Sequence, residues 1–153
     1  MTIELKQLAI SAAEWEIMRV VWAEGQVTSR QVIDTILALS DWKEGTIKSM
    51  LNRLTKKAVL TQDTSVTPFL YSSSISLEAA TLARTDEVIA NTCNLDRADI
   101  VQHLLESNTF SQAQIHALLD TLLEKLKTAP EQIKCDCAPG QCHCHLHGHG
   151  QYA

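Results

Sequence analysis

Apolar positions recur at helical spacing through the first part of the chain, and each run is preceded by a capping signature. In "SAAEWEIMRVVWAEG", Trp15, Met18 and Trp22 lie three to four residues apart with Ile17 and Val21 beside them, and Ser11 with Glu14 has the form of a capping box. A first helix is therefore predicted here, ended by Gly25 in a left-handed conformation. Thr28-Ser29-Arg30-Gln31 repeats the signature ahead of Val32, Ile33, Ile36 and Leu37, a second, shorter helix that breaks at "SDWKEG". From Thr46 a third helix is expected to bury Ile47, Met50, Leu51 and Leu54. The same geometry gathers Lys48, Ser49, Asn52, Arg53 and Lys56 on the opposite, solvent-facing side.

After Lys57 the period changes. "AVLTQD" and "PFLYSS" read as two short strands joined through Thr64, Ser65, Val66 and Thr67, with Pro68 at a strand start or edge because it has no N–H for a ladder. Three helices and a small hairpin describe a winged helix-turn-helix. Beyond Tyr71 the pattern is helical alone, opened by Ser76 as an N-cap and broken near Asn94 and Asn108. Ser111-Gln112-Ala113-Gln114 caps the last helix, whose Ile115, Leu118, Leu119, Leu122, Leu123 and Leu126 form a wide leucine-rich face before Ala129-Pro130 stops it. Such faces on short helices predict pairing with a second copy, a two-fold homodimer. The expected chain is mainly α in three parts: a winged-helix DNA-binding domain at 1–73, a helical dimerisation region at 74–129, and an unstructured Cys/His-rich metal-binding tail at 130–153.

Composition changes this picture in one respect, charge. The net charge of −5 argues against a polyanionic partner, but residues 1–72 balance eight Lys/Arg against eight Asp/Glu, and the deficit belongs wholly to the second half. Between Lys43 and Lys57 five basic residues face one acid, Glu44. A second helix of a helix-turn-helix lies in the DNA major groove, where Lys48, Ser49, Asn52, Arg53 and Lys56 would read base edges and bind phosphate. Thr28, Ser29 and Arg30 open one helix and Thr46 the next, where backbone N–H groups favour phosphate as well as simple capping. The opening "MTIELKQLAIS", with Glu4 and no sustained apolar core, is not expected to act as a secretory signal, and no run approaches the roughly 20 apolar residues of a membrane span. A cytoplasmic location follows as an expectation, with thiols kept reduced.

The tail "CDCAPGQCHCHLHGHG" then stands out. Cys135, Cys137, Cys142 and Cys144 form C-x-C-x4-C-x-C, two pairs that a Pro139-Gly140 turn can fold against each other. Four converging thiolates suit soft Cu(I), which shares bridging sulfurs, and equally tetrahedral Zn(II). A structural zinc knot and a disulfide are the bland alternatives; C-x-C disulfides are strained, and structural zinc sites use wider spacings. His143, His145, His147 and His149 alternate through and beyond the second pair, as extra ligands or as an incidental scavenger. His103 and His116 read as surface or core-edge residues, and Cys93, alone, as a buried small hydrophobe.

"ISAAEWEIMRVVW", "GTIKSMLNRLTKKAVL" and "FLYSS" resemble the penicillinase-repressor family (BlaI/MecI type), and with the cysteine tail the chain is similar to its copper-responsive CopY-type branch. The resemblance implies a dimeric winged-helix repressor of inverted-repeat operators in double-stranded DNA. It further implies a tail that holds zinc in the repressing form and cuprous copper when derepressed, so that copper-homeostasis genes are expressed, with a copper chaperone as metal donor. Val66-Thr67-Pro68 stands where the family's wing usually carries a Gly-Arg pair, so the resemblance does not carry over a phosphate contact from this wing. Gly45 stands where a better helix former is usual. Two other readings compete: an antibiotic-responsive repressor of the same family, which needs no clustered thiols, and a metal buffer or copper chaperone, which needs no operator. An enzyme is not expected, because the cysteines and histidines that adjoin lie in a tail with no rigid frame.

Overall fold

The computed structural model describes residues 9–144. Its element order is α1 (Ala12–Glu24), β1 (Gln26–Thr28), α2 (Ser29–Leu39), α3 (Glu44–Lys56), β2 (Leu60–Asp63), β3 (Leu70–Ser73), α4 (Leu77–Ala90), α5 (Arg97–Ser107) and α6 (Gln112–Leu126). Three of the predicted caps form reciprocal capping boxes, Ser11 with Glu14, Thr28 with Gln31 and Ser111 with Gln114. Each satisfies backbone N–H groups that a helix start leaves without an intrahelical partner. Gly25 ends α1 at φ 80°, its N–H donating to the Val21 carbonyl, and Ser76 Oγ accepts from Ala79 N at the start of α4.

Two expectations need correcting. The third helix begins at Glu44 rather than Thr46: the Lys43 carbonyl accepts from Thr46 N at 2.9 Å and Ile47 N at 3.2 Å, so Gly45 and Thr46 already lie in the first turn. The acid at Glu44 suits this end, where the helix dipole is positive. The hairpin is also one strand short. β1 pairs antiparallel with β3 (Val27 opposite Tyr71), giving a three-stranded sheet in the order β1-β3-β2, with β2 on the other side of β3 (Gln62 opposite Tyr71).

The described residues fall into two units that divide between Glu87 and Val88. In the first, Ile17, Met18 and Val21 of α1, Val32, Ile33 and Ile36 of α2, and Ile47, Leu51 and Leu54 of α3 close one core with Val27, Leu60 and Tyr71 of the sheet. Burial of each such side chain contributes about 1.5–3 kcal/mol, and this three-helix core with its sheet is the platform that orients α2 and α3. Trp22 Nε1 donates to Ser73 Oγ at 3.1 Å and to the Ile75 carbonyl at 2.9 Å, fastening α1 to the end of β3. Trp15 packs edge-on against Trp22, ring centroids 5.0 Å apart, and the Arg84 guanidinium lies 5.0 Å over the Trp15 ring.

The second unit is built differently. No residue of α5 or α6 is buried, and Ile115, Leu118, Leu119, Leu122, Leu123 and Leu126 are all exposed. Among the described residues no helix is long and apolar enough to cross a membrane.

Candidate nucleic-acid face and metal centre

Packing of Ile47, Met50, Leu51 and Leu54 into the core fixes the rotation of α3, so Thr46, Lys48, Ser49, Asn52, Arg53 and Lys56 all face solvent, as the spacing predicts. Arg30 is exposed at the start of α2, with Thr28 and Ser29 half-buried beside it. The structure thus places all nine predicted DNA-facing residues on the helix-turn-helix, on α3 and at the start of α2. Ion pairs connect them. Glu44 accepts from Arg30 Nη2 at 3.0 Å and from Lys48 Nζ at 2.6 Å, and Asp34 lies 3.3 Å from Arg30 Nη1. Lys48 and then Arg30 hold the Glu44 carboxyl below its ordinary range.

Behind this face sits a residue that the helical pattern assigned only to a cap. Glu14 is 1% exposed, yet its carboxylate accepts from Ser11 N at 3.0 Å and Lys57 Nζ at 2.7 Å, with Arg53 Nε at 3.6 Å. Burial alone would raise its pKa; the Lys57 and Ser11 hydrogen bonds, with the two positive charges, more than offset it and lower the value. A buried acid on α1 thereby lies within ion-pair distance of Arg53. The signal that would have found this role is the i,i+4 pair of cations, Arg53 and Lys57, on the helix facing "AAEWE".

The second site lies in the other unit. Ala138-Pro139-Gly140-Gln141 makes the predicted turn, with Gly140 at φ 79° and Gln141 N donating to the Ala138 carbonyl at 3.0 Å. It brings Cys142 Sγ to 3.4 Å from Cys135 Sγ. Cys93, in the turn between α4 and α5, joins them: its Sγ is 3.7 Å from Cys135 Sγ and 3.6 Å from Cys144 Sγ. The sulfurs of Cys93, Cys135, Cys142 and Cys144 all lie within 4.8 Å of one another. Cys137 is adjacent, its backbone N–H donating to Cys135 Sγ at 3.5 Å. All five cysteines are free thiols. His143 is exposed beside the cluster, whereas His145, His147 and His149 lie outside the described residues. His103 on α5 and His116 on α6 are exposed.

Four sulfurs about 2.3 Å from one tetrahedral zinc stand about 3.8 Å apart. Three of the separations, 3.4, 3.6 and 3.7 Å, lie close to that edge, and thiolates are the donors that soft Cu(I) and borderline Zn(II) prefer. The residues therefore fit a metal ion. Their protonation is uneven in a way that a cation would level. The Cys144 backbone N–H and then the Cys135 thiol favour the Cys142 thiolate, lowering its pKa. Burial followed by the neighbouring thiols pushes Cys137 up to about 12, and Cys144 is raised chiefly by Cys142 and Cys93.

Residues 10–124 match the penicillinase repressor family. An uncharacterized 16.5 kDa protein of Latilactobacillus sakei is 36% identical over 133 residues, covering 87% of this chain and 91% of its own length. The penicillinase repressor of Bacillus licheniformis is 29% identical, over 75% of this chain and 90% of its own. Among solved structures, the DNA-binding domain of the repressor BlaI is 34% identical over 46% of this chain and 87% of that one, at a TM-score of 0.43. With the family's model matched across both the winged-helix core and the helices that follow, this chain is a member of the penicillinase repressor family and not an enzyme.

Proposed function

We propose that the protein is a copper-responsive transcriptional repressor. As a homodimer it binds an inverted-repeat operator through Thr28, Ser29, Arg30, Thr46, Lys48, Ser49, Asn52, Arg53 and Lys56. Metal binds through thiols of the tail set Cys135, Cys137, Cys142 and Cys144, Zn(II) in the repressing form and Cu(I) in exchange for it, whereupon the dimer leaves its operator and copper-homeostasis genes are expressed. Repression itself rests on family membership; one relative in this family, BlaI of Bacillus licheniformis, has been solved with the blaP half-operator. The boundaries 1–73, 74–129 and 130–153 assign DNA binding, pairing and metal sensing in turn, in a protein that works in the cytoplasm.

The observation that carries the metal-responsive part is the convergence of the tail sulfurs of Cys135, Cys142 and Cys144, within 4.8 Å of one another, around a turn that the sequence itself encodes. An antibiotic-responsive repressor has no need of such a cluster. A metal buffer would need it but would have no need of the exposed cationic α3.

The deciding experiment is a titration of zinc-loaded protein on operator DNA with Cu(I) under reducing, anaerobic conditions. Occupancy is expected to fall as Cu(I) is added, and Cys135→Ser with Cys137→Ser is expected to abolish that fall while leaving the far-ultraviolet circular dichroism unchanged. Copper-triggered release retained in the double variant would refute the sensing role. Absence of salt-sensitive, sequence-specific binding to DNA would refute the repressor role and favour the buffer.

A further inference from the structure

The cysteine spacing and the folded chain describe two different quartets. The tail pattern offers Cys135, Cys137, Cys142 and Cys144; the four sulfurs that all lie within 4.8 Å of one another are those of Cys93, Cys135, Cys142 and Cys144. Three members are shared, and the fourth position is contested between Cys137 and Cys93. The two claimants differ in what they are attached to. Cys137 belongs to the tail, whereas Cys93 belongs to the turn after α4, where Asp96 N donates to the Cys93 carbonyl at 3.0 Å and Arg97 Nε donates to the Thr92 carbonyl at 3.2 Å.

Resting on the metal-binding reading above, we propose that Cys93 is the fourth thiolate for a single tetrahedral divalent ion, with Cys137 left outside it, so that the zinc-loaded tail is fastened to the α4–α5 turn. Three observations support this. Cys93 and Cys144 are the two best buried cysteines, at 8% and 7% exposure, and their sulfurs are in direct contact at 3.6 Å. Cys135 spans the remaining gap, 3.7 Å from Cys93 and 3.4 Å from Cys142. The tail is held at the same turn by a contact that needs no metal: Asn94 Nδ2 donates to the Lys134 carbonyl at 2.6 Å, which aligns residue 135 for the cluster. A site made by the tail alone would report metal only to the tail. Inclusion of Cys93 makes the ligand set a crosslink from the tail to the helical region, and the metal state then sets whether that crosslink exists.

The test uses the full chain with all other cysteines intact. Zinc-loaded protein is treated with iodoacetamide and the modified cysteines are mapped by mass spectrometry. Modification is expected at Cys137 alone, and chelation of zinc is expected to open Cys135 and Cys142. In parallel, Co(II) serves as the spectroscopic probe. Cys137→Ser is expected to keep the tetrathiolate charge-transfer and d–d bands of the wild type, since its four remaining cysteines are the proposed ligands. Cys93→Ser combined with Cys137→Ser is expected to lose about a quarter of the charge-transfer intensity and to bind zinc at least tenfold more weakly, since even outer-shell losses reach 10–100-fold.

Protection of Cys137 by zinc to the same degree as Cys135, or loss of the tetrathiolate spectrum in Cys137→Ser, would overturn the proposal and leave the tail-only quartet standing. If zinc protects none of Cys135, Cys142 and Cys144, the metal-binding reading falls and this proposal falls with it.

Discussion

Glu14 offers the sharpest test of how the reading helix is held. Replacing it with alanine removes three things: the return arm of the α1 capping box to Ser11 N, a 2.7 Å charge-assisted bond to Lys57, and the 3.6 Å approach of Arg53. A lost cap is worth about 1 kcal/mol. A hydrogen bond to a charged group is worth about 1.5–3 kcal/mol, taken at its low end because the Lys57 side chain is 39% exposed and partly solvated. Arg53, 60% exposed, adds little. Glu14→Ala should therefore destabilise the protein by about 2–3 kcal/mol, and Glu14→Gln, which keeps an acceptor toward Ser11 and Lys57, by about 1 kcal/mol. Urea unfolding at neutral pH measures both. The pH dependence has a definite sign. The folded-state pKa of Glu14 is depressed below its ordinary 4.5, so its contribution is complete above that value and is lost as pH falls through the folded value. The gap between wild type and Glu14→Gln should be constant from pH 6 to 8 and should shrink in acid. A Glu14→Ala midpoint within about 0.5 kcal/mol of wild type would refute the reasoning, because the carboxylate would then be worth no more than a surface pair.

Arg53→Ala or Asn52→Ala should weaken specific operator binding by about 1–3 kcal/mol in a gel-shift titration, if either side chain makes a bidentate base contact; unchanged titrations for both would remove α3 from the reading role. Glu44→Gln frees Arg30 and Lys48 for phosphate, so log affinity against log salt should steepen by about one unit or more, and an unaltered slope would show that those cations do not reach the backbone of the DNA. Ala58, at φ 59°, sits in the left-handed region that favours glycine; Ala58→Gly should stabilise the protein by about 0.5–1 kcal/mol in the same urea assay, and a loss of stability would refute that. Leu119→Glu with Leu123→Glu places charge on the exposed face of α6 and should convert a dimer to a monomer in sedimentation, an unchanged mass arguing for a different pairing surface.

Most of the first unit was legible in the sequence because local signals and tertiary packing agree there. The capping boxes at Ser11 and Thr28 and the spacing Ile47, Met50, Leu51, Leu54 each carry their own geometry, as does the Ser111 box in the second unit. β1 was not legible: three residues between a glycine and a helix cap have no period to detect, and Gln26–Thr28 is a strand only because β3 offers its free edge. The start of α3 was misplaced because Gly45 reads as a breaker, while the pairing of Glu44 with Lys48 and Arg30 is invisible until α2 and α3 are packed. In the tail the turn at Pro139-Gly140 was readable. The place of Cys93 was not: a lone cysteine 42 residues before Cys135 has no spacing signature, and its burial, correctly anticipated, is a property that hydrophobes and closed thiolate sites share.

The overall charge of −5 is compatible with the proposed DNA recognition once Asp34 and Glu44 are assigned their partners. Asp34 and Glu44 lie on the surface, with side chains 63% and 38% exposed, and their pairs with Arg30 and Lys48 are of the kind worth about 0–1 kcal/mol. A phosphate can replace them at little cost, and release of condensed counterions supplies the driving force. Glu14 belongs to the other class. Buried, bonded to Lys57 and part of a cap, it stays paired within the protein and leaves the exposed Arg53 available to a ligand. The helix-turn-helix thus separates the acid that stays paired from the acids that merely neutralise its cations. That separation rests on depth: the retained carboxylate lies beneath the face, and the exchangeable ones lie on it.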